Sequence, residues 1–145
     1  MSKTSEEHLL QHHALRVTDF RVQVLQHFQA QSGALNLAEL KQRLPAETDR
    51  VTLYRTLQKF ESSGLIHSIP DPSGEVKYAL CKHDCSVEQH HDAHAHFSCR
   101  ACGNTWCLDD WEFKGRSHPR IGRTDEVVLH LSGLCVDCQA LESKA

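Results

Sequence analysis

Cys99-Arg100-Ala101-Cys102 and Cys135-Val136-Asp137-Cys138 are two Cys-x-x-Cys pairs that decide the fold of the second half of this chain. A two-residue spacer lets one tight turn aim both sulfurs at a single ion, and four thiolates make the closed tetrahedral set of a structural zinc site. We expect Gly103, which follows the first pair, to take the positive φ that such a turn often requires. Four thiolates leave no position open for a substrate, so the predicted role of the zinc is structural.

A pair of disulfides is the alternative use of these four cysteines. The chain has seven cysteines, an odd number, and it opens with a polar, helix-permissive stretch rather than an export signal. Both features favour a reducing cytosol over an oxidised framework. Because 32 residues separate the two pairs, the zinc is predicted to join a strand hairpin to a distant C-terminal segment. With no apolar run of membrane-spanning length, we expect a cytoplasmic protein and no membrane partner.

Charge and metal-binding residues are distributed unevenly between the two halves. Residues 1–67 carry eight Lys/Arg against seven Asp/Glu, whereas residues 68–145 carry eight against twelve, and the sum is the overall net charge of −3. Neither half is basic enough to indicate nucleic-acid binding by charge alone. All of the cysteines and seven of the twelve histidines lie from residue 81 onward. The second half is therefore predicted to be a metal-rich module of a one- or two-domain chain.

The first third predicts three helices. Thr18 can cap a helix that runs through Ala30, and Asn36 can cap a shorter one that ends before Pro45. The third begins after Thr48 as its predicted cap and stops at Gly64. In this third helix the apolar residues Leu53, Leu57 and Phe60 recur at helical spacing and form one face. The opposite side is polar, basic and aromatic, and it carries Thr52, Tyr54, Arg55 and Lys59.

Two β-rich runs follow, Leu65–Ile69 and Glu75–Leu80, joined by Pro-Asp-Pro-Ser-Gly, which is strong turn chemistry for a hairpin. Three helices followed by a two-stranded wing predict the winged helix-turn-helix plan, in which the last helix enters the major groove of DNA. The alternative is a helical bundle with a solvated charged face. Further along, residues 82–89 are polar and show no clear periodicity of apolar residues, which indicates a hinge.

The remaining residues predict short strands around the two cysteine pairs. Ala93–Ser98 and Asn104–Leu108 flank the first pair, and Val127–Leu131 precedes the second. Residues 111–123 contain Gly115, Pro119 and Gly122 and show little helical period, so we predict a loop there.

A second set of metal-binding residue types surrounds the run His90-His91-Asp92-Ala93-His94-Ala95-His96. In an extended strand His94 and His96 project from the same face. Cys81 at the end of the wing and His67 in its first strand lie across the hairpin from one another, and the four together would make a tetrahedron of one sulfur and three nitrogens, softer than the oxygen-rich sets that manganese prefers. A solvated histidine tract is the alternative.

In this order the motifs resemble the ferric uptake regulator (Fur) family of bacterial metal-dependent repressors, and more narrowly its zinc uptake (Zur) branch. The opening Leu15-Arg16-Val17-Thr18 with Arg21 looks like the family's LRxTxxR, Val51–Leu57 like its TVYRxL recognition helix, and His94–Gly103 like its HxHxxCxxCG signature. The second cysteine pair completes the resemblance, which covers nearly the whole chain.

The resemblance implies an α+β protein of three parts: a winged-helix DNA-binding domain over residues 1–81, a hinge over 82–90, and a small zinc-binding dimerisation domain over 91–145. It implies about two Zn²⁺ per chain, one structural and one regulatory, the latter held at the hinge by His67, Cys81, His94 and His96. It also implies a homodimer on an operator in double-stranded DNA, A·T-rich and palindromic, contacted by Arg16 and Arg21 besides the face of the third helix.

This chain departs from the family pattern at several positions. Ala34 and Ala79 stand where iron-type members carry a histidine and a glutamate, and Cys81 favours zinc over iron. Ala93 and Ala95 replace the interleaved ligands of a further metal site, which we expect to be absent. Cys107 replaces a glutamate and is either a soft alternative ligand or a buried structural thiol. The long helix usual in the dimerisation domain is not indicated in residues 111–123.

The sequence therefore predicts a zinc-responsive transcriptional repressor and no enzyme. The alternatives are an iron- or peroxide-responsive regulator on the same scaffold and a zinc-stapled protein-binding module without DNA affinity. A zinc hydrolase is disfavoured, because His94-x-His96 lacks the following Asp-His of metallo-β-lactamase-type sites and no open coordination position is indicated.

Overall fold

The protein divides into two compact units, Met1–His90 and His91–Ala145. The computed structural model describes residues 2–31, 33–70, 74–80, 94–112, 118–124 and 129–143. Among these residues, the first unit has four helices and one three-stranded sheet, and the other unit has a second three-stranded sheet and one helix. No helix among the described residues combines the length and the apolar character needed to cross a lipid bilayer.

The helices of the first unit are α1 (Ser5–His12), α2 (Asp19–Ala30), α3 (Leu37–Arg43) and α4 (Arg50–Ser62). The predicted caps are confirmed for α2, where the Thr18 hydroxyl accepts the Arg21 N–H, and for α3, where Asn36 and Glu39 form a capping box.

Two details of the helix prediction were wrong. The cap of α4 is Asp49 rather than Thr48, because the Asp49 carboxylate accepts both the N–H and the hydroxyl of Thr52, at 3.1 and 2.9 Å. The first third also holds four helices instead of three. The additional helix, α1, begins at a capping box between Thr4 and Glu7, and its Leu10 is fully buried.

One hydrophobic core holds the first unit together. The predicted apolar face of α4 is confirmed, since Leu53, Leu57 and Phe60 are all fully buried. The other helices and the sheet add apolar side chains to the same cluster, among them Leu10, Val24, Leu25, Phe28, Leu35, Leu40, Leu44, Leu65, Ile66 and Tyr78. Burial of this kind is the main source of folding free energy, so α4 is fixed in position by its buried side.

The wing is a three-stranded antiparallel sheet in the order β1–β3–β2. The predicted hairpin is confirmed as β2 (Ile66–Pro70) and β3 (Val76–Leu80), with His67 opposite Ala79. Strand β1 (Leu35–Asn36) adds a short outer strand that the sequence did not indicate. A side-chain bond of 3.0 Å from Asn36 to Glu75 ties the start of α3 to this sheet.

The second unit is built on the sheet β5–β4–β6, formed by β4 (His94–Cys99), β5 (Thr105–Glu112) and β6 (His130–Gly133). Strand β4 pairs antiparallel with β5 and parallel with β6. The sequence did not indicate α5 (Val136–Glu142), which begins at the second cysteine pair.

The predicted loop over residues 111–123 was wrong at its start. Residues 111 and 112 still belong to β5, which is longer than predicted because β4 continues to pair with it as far as Glu112. Residues 118–124 contain turns and no helix, and residues 113–117 lie outside the described part. The predicted hinge, 82–90, also lies outside it, as do Val127 and Val128 of the third predicted strand.

Candidate functional site

The outer face of α4 presents the polar and aromatic side chains that the sequence assigned to DNA. Tyr54 is 46% exposed, and Arg55 and Lys59 are exposed beside it. Leu53 on the opposite side is fully buried. A helix held by one face and exposing a basic, aromatic second face can contact phosphates and base edges without changing its own packing.

Two residues assigned to DNA contact also have structural partners inside the first unit. The Arg21 guanidinium donates to the Arg16 carbonyl at 2.9 Å and braces the segment that precedes α2. The Thr52 hydroxyl donates to the Asp49 carboxylate. The hydrogen bond from the Thr52 hydroxyl, and after it the bond from the Thr52 backbone N–H, lower the pKa of Asp49 from its ordinary value. Arg16, by contrast, is exposed.

His13 makes a contact between two helices that the sequence did not indicate. It follows α1, and its Nδ1 lies 3.0 Å from the carbonyl of Ser63, just after the end of α4. This bond connects the C-terminal ends of α1 and α4. No motif marks His13, because the contact joins residues 50 positions apart in the sequence.

The four cysteines of the two Cys-x-x-Cys pairs converge in the second unit. The sulfurs of Cys99, Cys102, Cys135 and Cys138 all lie within 4.8 Å of one another. Two sulfurs on one tetrahedral zinc are about 3.8 Å apart, given a Zn–S distance of about 2.3 Å, so the cluster needs only a small contraction to close on an ion.

The backbone around the cluster explains how the pairs meet. Gly103 has the expected positive φ of 76° and donates its N–H to the Cys99 carbonyl at 2.9 Å, which closes the first turn. The N–H of Arg100 reaches the carbonyl of Gly133 at 2.8 Å, and that of Cys135 points at the Cys99 sulfur at 3.4 Å. The parallel pairing of β4 with β6 therefore brings the second pair to the first.

The electrostatics of the cluster fit a divalent cation. Backbone N–H groups, that of Cys102 first and that of Cys135 next, lower the pKa of Cys99 to about 6. The pKa of Cys138 is raised to about 12, chiefly by its hydrogen bonds with Cys135 and Cys99. Cys99 thus favours the thiolate form, whereas Cys138 stays protonated among its neighbours. A bound divalent cation would deprotonate Cys138 as well, because a thiol that coordinates a metal loses its proton.

The residues predicted for the hinge site belong to different parts of the chain. His67 lies on β2 of the first unit, His96 lies on β4 of the second, and His94 begins β4. Cys81 lies outside the described residues. Whether the four bind one ion therefore stays a prediction.

Cys107 has a neighbour that the motifs did not assign to it. It pairs with His96 across β4 and β5, and its sulfur lies within 4.8 Å of a ring nitrogen of His96. On the other side of His96 the register places His130 of β6. The Nε2 of His130 is buried and has no hydrogen-bond partner among the residues that the structure describes.

Comparison of the sequence with known proteins matches one family model and identifies two informative relatives. The ferric uptake regulator family model matches residues 12–131. A zinc uptake regulation protein of Mycobacterium tuberculosis (strain ATCC 25618 / H37Rv) is 33% identical over 93 residues, which span 61% of this chain and 65% of that protein. A ferric uptake regulation protein of Neisseria meningitidis serogroup B (strain ATCC BAA-335 / MC58) is 28% identical over 148 residues, 97% of each.

Solved structures show the same fold. A zinc uptake regulator complexed with zinc and DNA superposes with a TM-score of 0.66 at 22% identity, covering 97% of this chain and 99% of the other. The Vibrio cholerae ferric uptake regulator gives a TM-score of 0.58 at 24% identity, covering 89% and 98%.

Proposed function

Since this chain belongs to the ferric uptake regulator family, whose members are transcription regulators and not enzymes, we propose that it is a zinc-responsive transcriptional repressor. It binds an A·T-rich, palindromic operator as a homodimer in the cytoplasm. A structural Zn²⁺ is held by the four-cysteine cluster, and a regulatory Zn²⁺ by His67, Cys81, His94 and His96.

The observation that carries the DNA-binding part is the two-sided character of α4. Its buried side anchors the helix, while Tyr54, Arg55 and Lys59 stay exposed on the other side. Arg55 and Lys59 supply charge for phosphates or base edges, and Tyr54 supplies an apolar and stacking contact. Arg16 is exposed and suited to a phosphate contact, whereas Arg21 and Thr52 act partly by fixing the local backbone.

Donor chemistry supports zinc as the regulatory metal. One thiolate and three imidazoles form a soft donor set that suits zinc, whereas manganese prefers carboxylate and other oxygen ligands. The name of the M. tuberculosis relative, a zinc uptake regulation protein, agrees with this choice. That relative is matched over 65% of its length, so the whole-protein role rests on the proposal and its test.

Regulation follows from the distribution of the four hinge residues along the chain. His67 and Cys81 belong to the wing and its end, and His94 and His96 to β4. A shared ion supplies the link between these elements and so favours one angle between the two DNA-binding domains of the dimer. A switch from 1:99 to 99:1 requires about 5.5 kcal/mol of preference for the linked state.

An iron-responsive repressor is the second candidate. The meningococcal ferric uptake regulation protein matches 97% of this chain, a larger share than the zinc uptake regulation protein does. The two candidates differ in the metal that induces DNA binding. In the iron case, Fe²⁺ under anaerobic conditions would raise DNA affinity and zinc at buffered, low free concentration would not.

The test is operator selection followed by metal-dependent binding. Duplexes bound by the zinc-loaded protein are selected from a random pool, and anisotropy of a labelled duplex is then measured against buffered free Zn²⁺, Fe²⁺ and Mn²⁺. Arg55→Ala should lose affinity, while Arg120→Ala, which removes the same charge from an exposed position in the second unit, should not. No selected sequence, or binding that ignores all three metals, would overturn the proposal.

A further inference from the structure

The surface of α4 that lies furthest from the core carries side chains that the sequence motifs did not assign to DNA. A helix turns by about 100° per residue, so residues spaced four, three and four positions apart lie along one line of its surface. In α4 this spacing selects a line of four exposed residues, Val51, Arg55, Gln58 and Ser62. This outer line lies opposite the buried side of Leu53, Leu57 and Phe60.

Tyr54 and Lys59 lie on either side of the outer line, each about 70° from its middle. When a recognition helix lies in the major groove, the side chains on its outermost line face the base edges. Side chains at the flanks face the walls of the groove, where the phosphates lie. The outer line is therefore the part of α4 that is best placed to read the base sequence.

Gln58 presents the side-chain amide of the outer line. The aliphatic hydroxyls of α4 all donate to acceptors within the protein; they belong to Thr52, Thr56 and Ser62. The Glu61 carboxylate accepts the hydroxyl of Ser68 at 3.0 Å. The Gln58 amide, by contrast, makes no hydrogen bond with the part of the chain that the structure describes. Its donor and its acceptor are both available to a ligand.

The chemistry of this amide matches one base. A carboxamide holds an acceptor oxygen and a donor nitrogen in one plane. In the major groove, adenine offers the complementary pair, the N7 acceptor and the N6 donor, whereas guanine offers two acceptors and suits arginine. Gln58 therefore favours adenine, one turn of the helix beyond Arg55.

Val51 is the apolar member of the outer line, and its side chain is 54% exposed. In the described part of the first unit, the large apolar side chains left exposed lie on α4 and on the wing; they are Val51, Tyr54 and Val76. An apolar side chain in the major groove matches the C5-methyl group of thymine. Val51 and Gln58 are seven residues apart, or about 10.5 Å along the helix. That length corresponds to about three base pairs at a rise of about 3.4 Å.

We propose that Gln58 and Val51 determine the base specificity of the operator. Gln58 pairs with an adenine through its amide, and Val51 contacts the methyl group of a thymine about three base pairs away. This inference rests on the proposed function, because it requires α4 to enter the major groove. It adds two base contacts to those of the proposed function, and both of them select A·T pairs.

The test combines each variant with a base analogue that lacks the contacted group. In the operator selected by the zinc-loaded wild type, 7-deazaadenine replaces each adenine in turn and deoxyuridine replaces each thymine. At one adenine, loss of N7 should weaken wild-type binding about fivefold or more and leave the binding of Gln58→Ala unchanged. At one thymine about three base pairs away, loss of the methyl group should cost the wild type about fourfold and Val51→Ala nothing.

Gln29→Ala is the matched control, because it removes the same amide from an exposed position of α2. It should bind the operator and all of the analogues as the wild type does. The two test variants replace exposed side chains, so their melting temperatures should match that of the wild type. If Gln58→Ala still responds to every adenine analogue as the wild type does, Gln58 does not read a base. The same result with deoxyuridine would refute the assignment of Val51.

Failure of this inference is distinguishable from failure of the proposed function. A zinc-loaded wild type that selects no operator refutes the proposed function, and the two base contacts with it. A wild type that selects an operator, with variants that keep both its affinity and its response to the analogues, refutes the base contacts alone.

Discussion

Leu53 and Tyr54 are neighbours in α4 whose replacement by alanine should have opposite consequences. Leu53 is fully buried in the core of the first unit, and Tyr54 is 46% exposed on the proposed DNA face. Replacing a buried leucine by alanine costs about 2–5 kcal/mol, because transfer free energy is lost and a cavity is left. Replacing an exposed side chain with no special contact usually changes stability by less than about 0.5 kcal/mol.

The expected readings follow from those magnitudes. For a unit of this size each kcal/mol shifts the melting temperature by about 4–8 °C, so Leu53→Ala should lower it by at least about 8 °C. Tyr54→Ala should melt like the wild type and weaken specific DNA binding by about 1–3 kcal/mol, that is, about five- to 150-fold. Zinc content should be unchanged by Tyr54→Ala.

Circular dichroism melts and anisotropy with the zinc-loaded protein give both quantities for each variant. If Tyr54→Ala instead unfolds the first unit, or binds the operator as tightly as the wild type, the assignment of the two faces of α4 is wrong. An unchanged melting temperature for Leu53→Ala would refute the assignment of Leu53 to the hydrophobic core.

Further predictions concern the metals and the helix cap. Mild chelation should remove about one zinc per chain and leave a folded dimer, whereas Cys99→Ser should unfold the second unit; dichroism and metal analysis check both. Cys81→Ser and His96→Ala should keep the structural zinc and lose zinc-stimulated DNA binding; a wild-type zinc response would remove these residues from the sensor. Because its pKa is depressed below 3.8, Asp49 contributes stability above that pH and loses it as the pH falls through the folded value. Asp49→Ser keeps a helix cap that does not titrate. As the pH is lowered, the melting temperature of this variant should therefore fall less than that of the wild type.

The helices and the cysteine cluster could be predicted because their signals are local. A cap followed by helical spacing of apolar residues identified α2, α3 and the buried side of α4. The Cys-x-x-Cys spacing and Gly103 identified the turn around which the four sulfurs meet.

The errors arose where local signals compete or are weak. Thr48 and Asp49 are adjacent residues that both favour a cap, and only the folded backbone selects Asp49. The capping box of Thr4 and Glu7 could have revealed α1, but little apolar periodicity follows it.

Other features depend on the register between strands that are distant in the sequence, and this register cannot be predicted from a single sequence. The extension of β5 to Glu112 requires its pairing with β4. The placement of His130 beside His96 depends on a parallel pairing across 33 intervening residues. For the same reason the hinge set of Cys81 and its three histidines rests on the family resemblance and on experiment.

The most direct test of the proposed regulator measures metal content and operator binding together while free zinc is buffered over a wide range. At low free zinc we expect about one zinc per chain and weak DNA binding. As free zinc rises, we expect each chain to take up a second zinc, and this uptake should coincide with a rise in DNA affinity. Uptake of that second zinc with no change in DNA affinity would contradict this expectation, as would affinity that rises with Fe²⁺ and not with zinc.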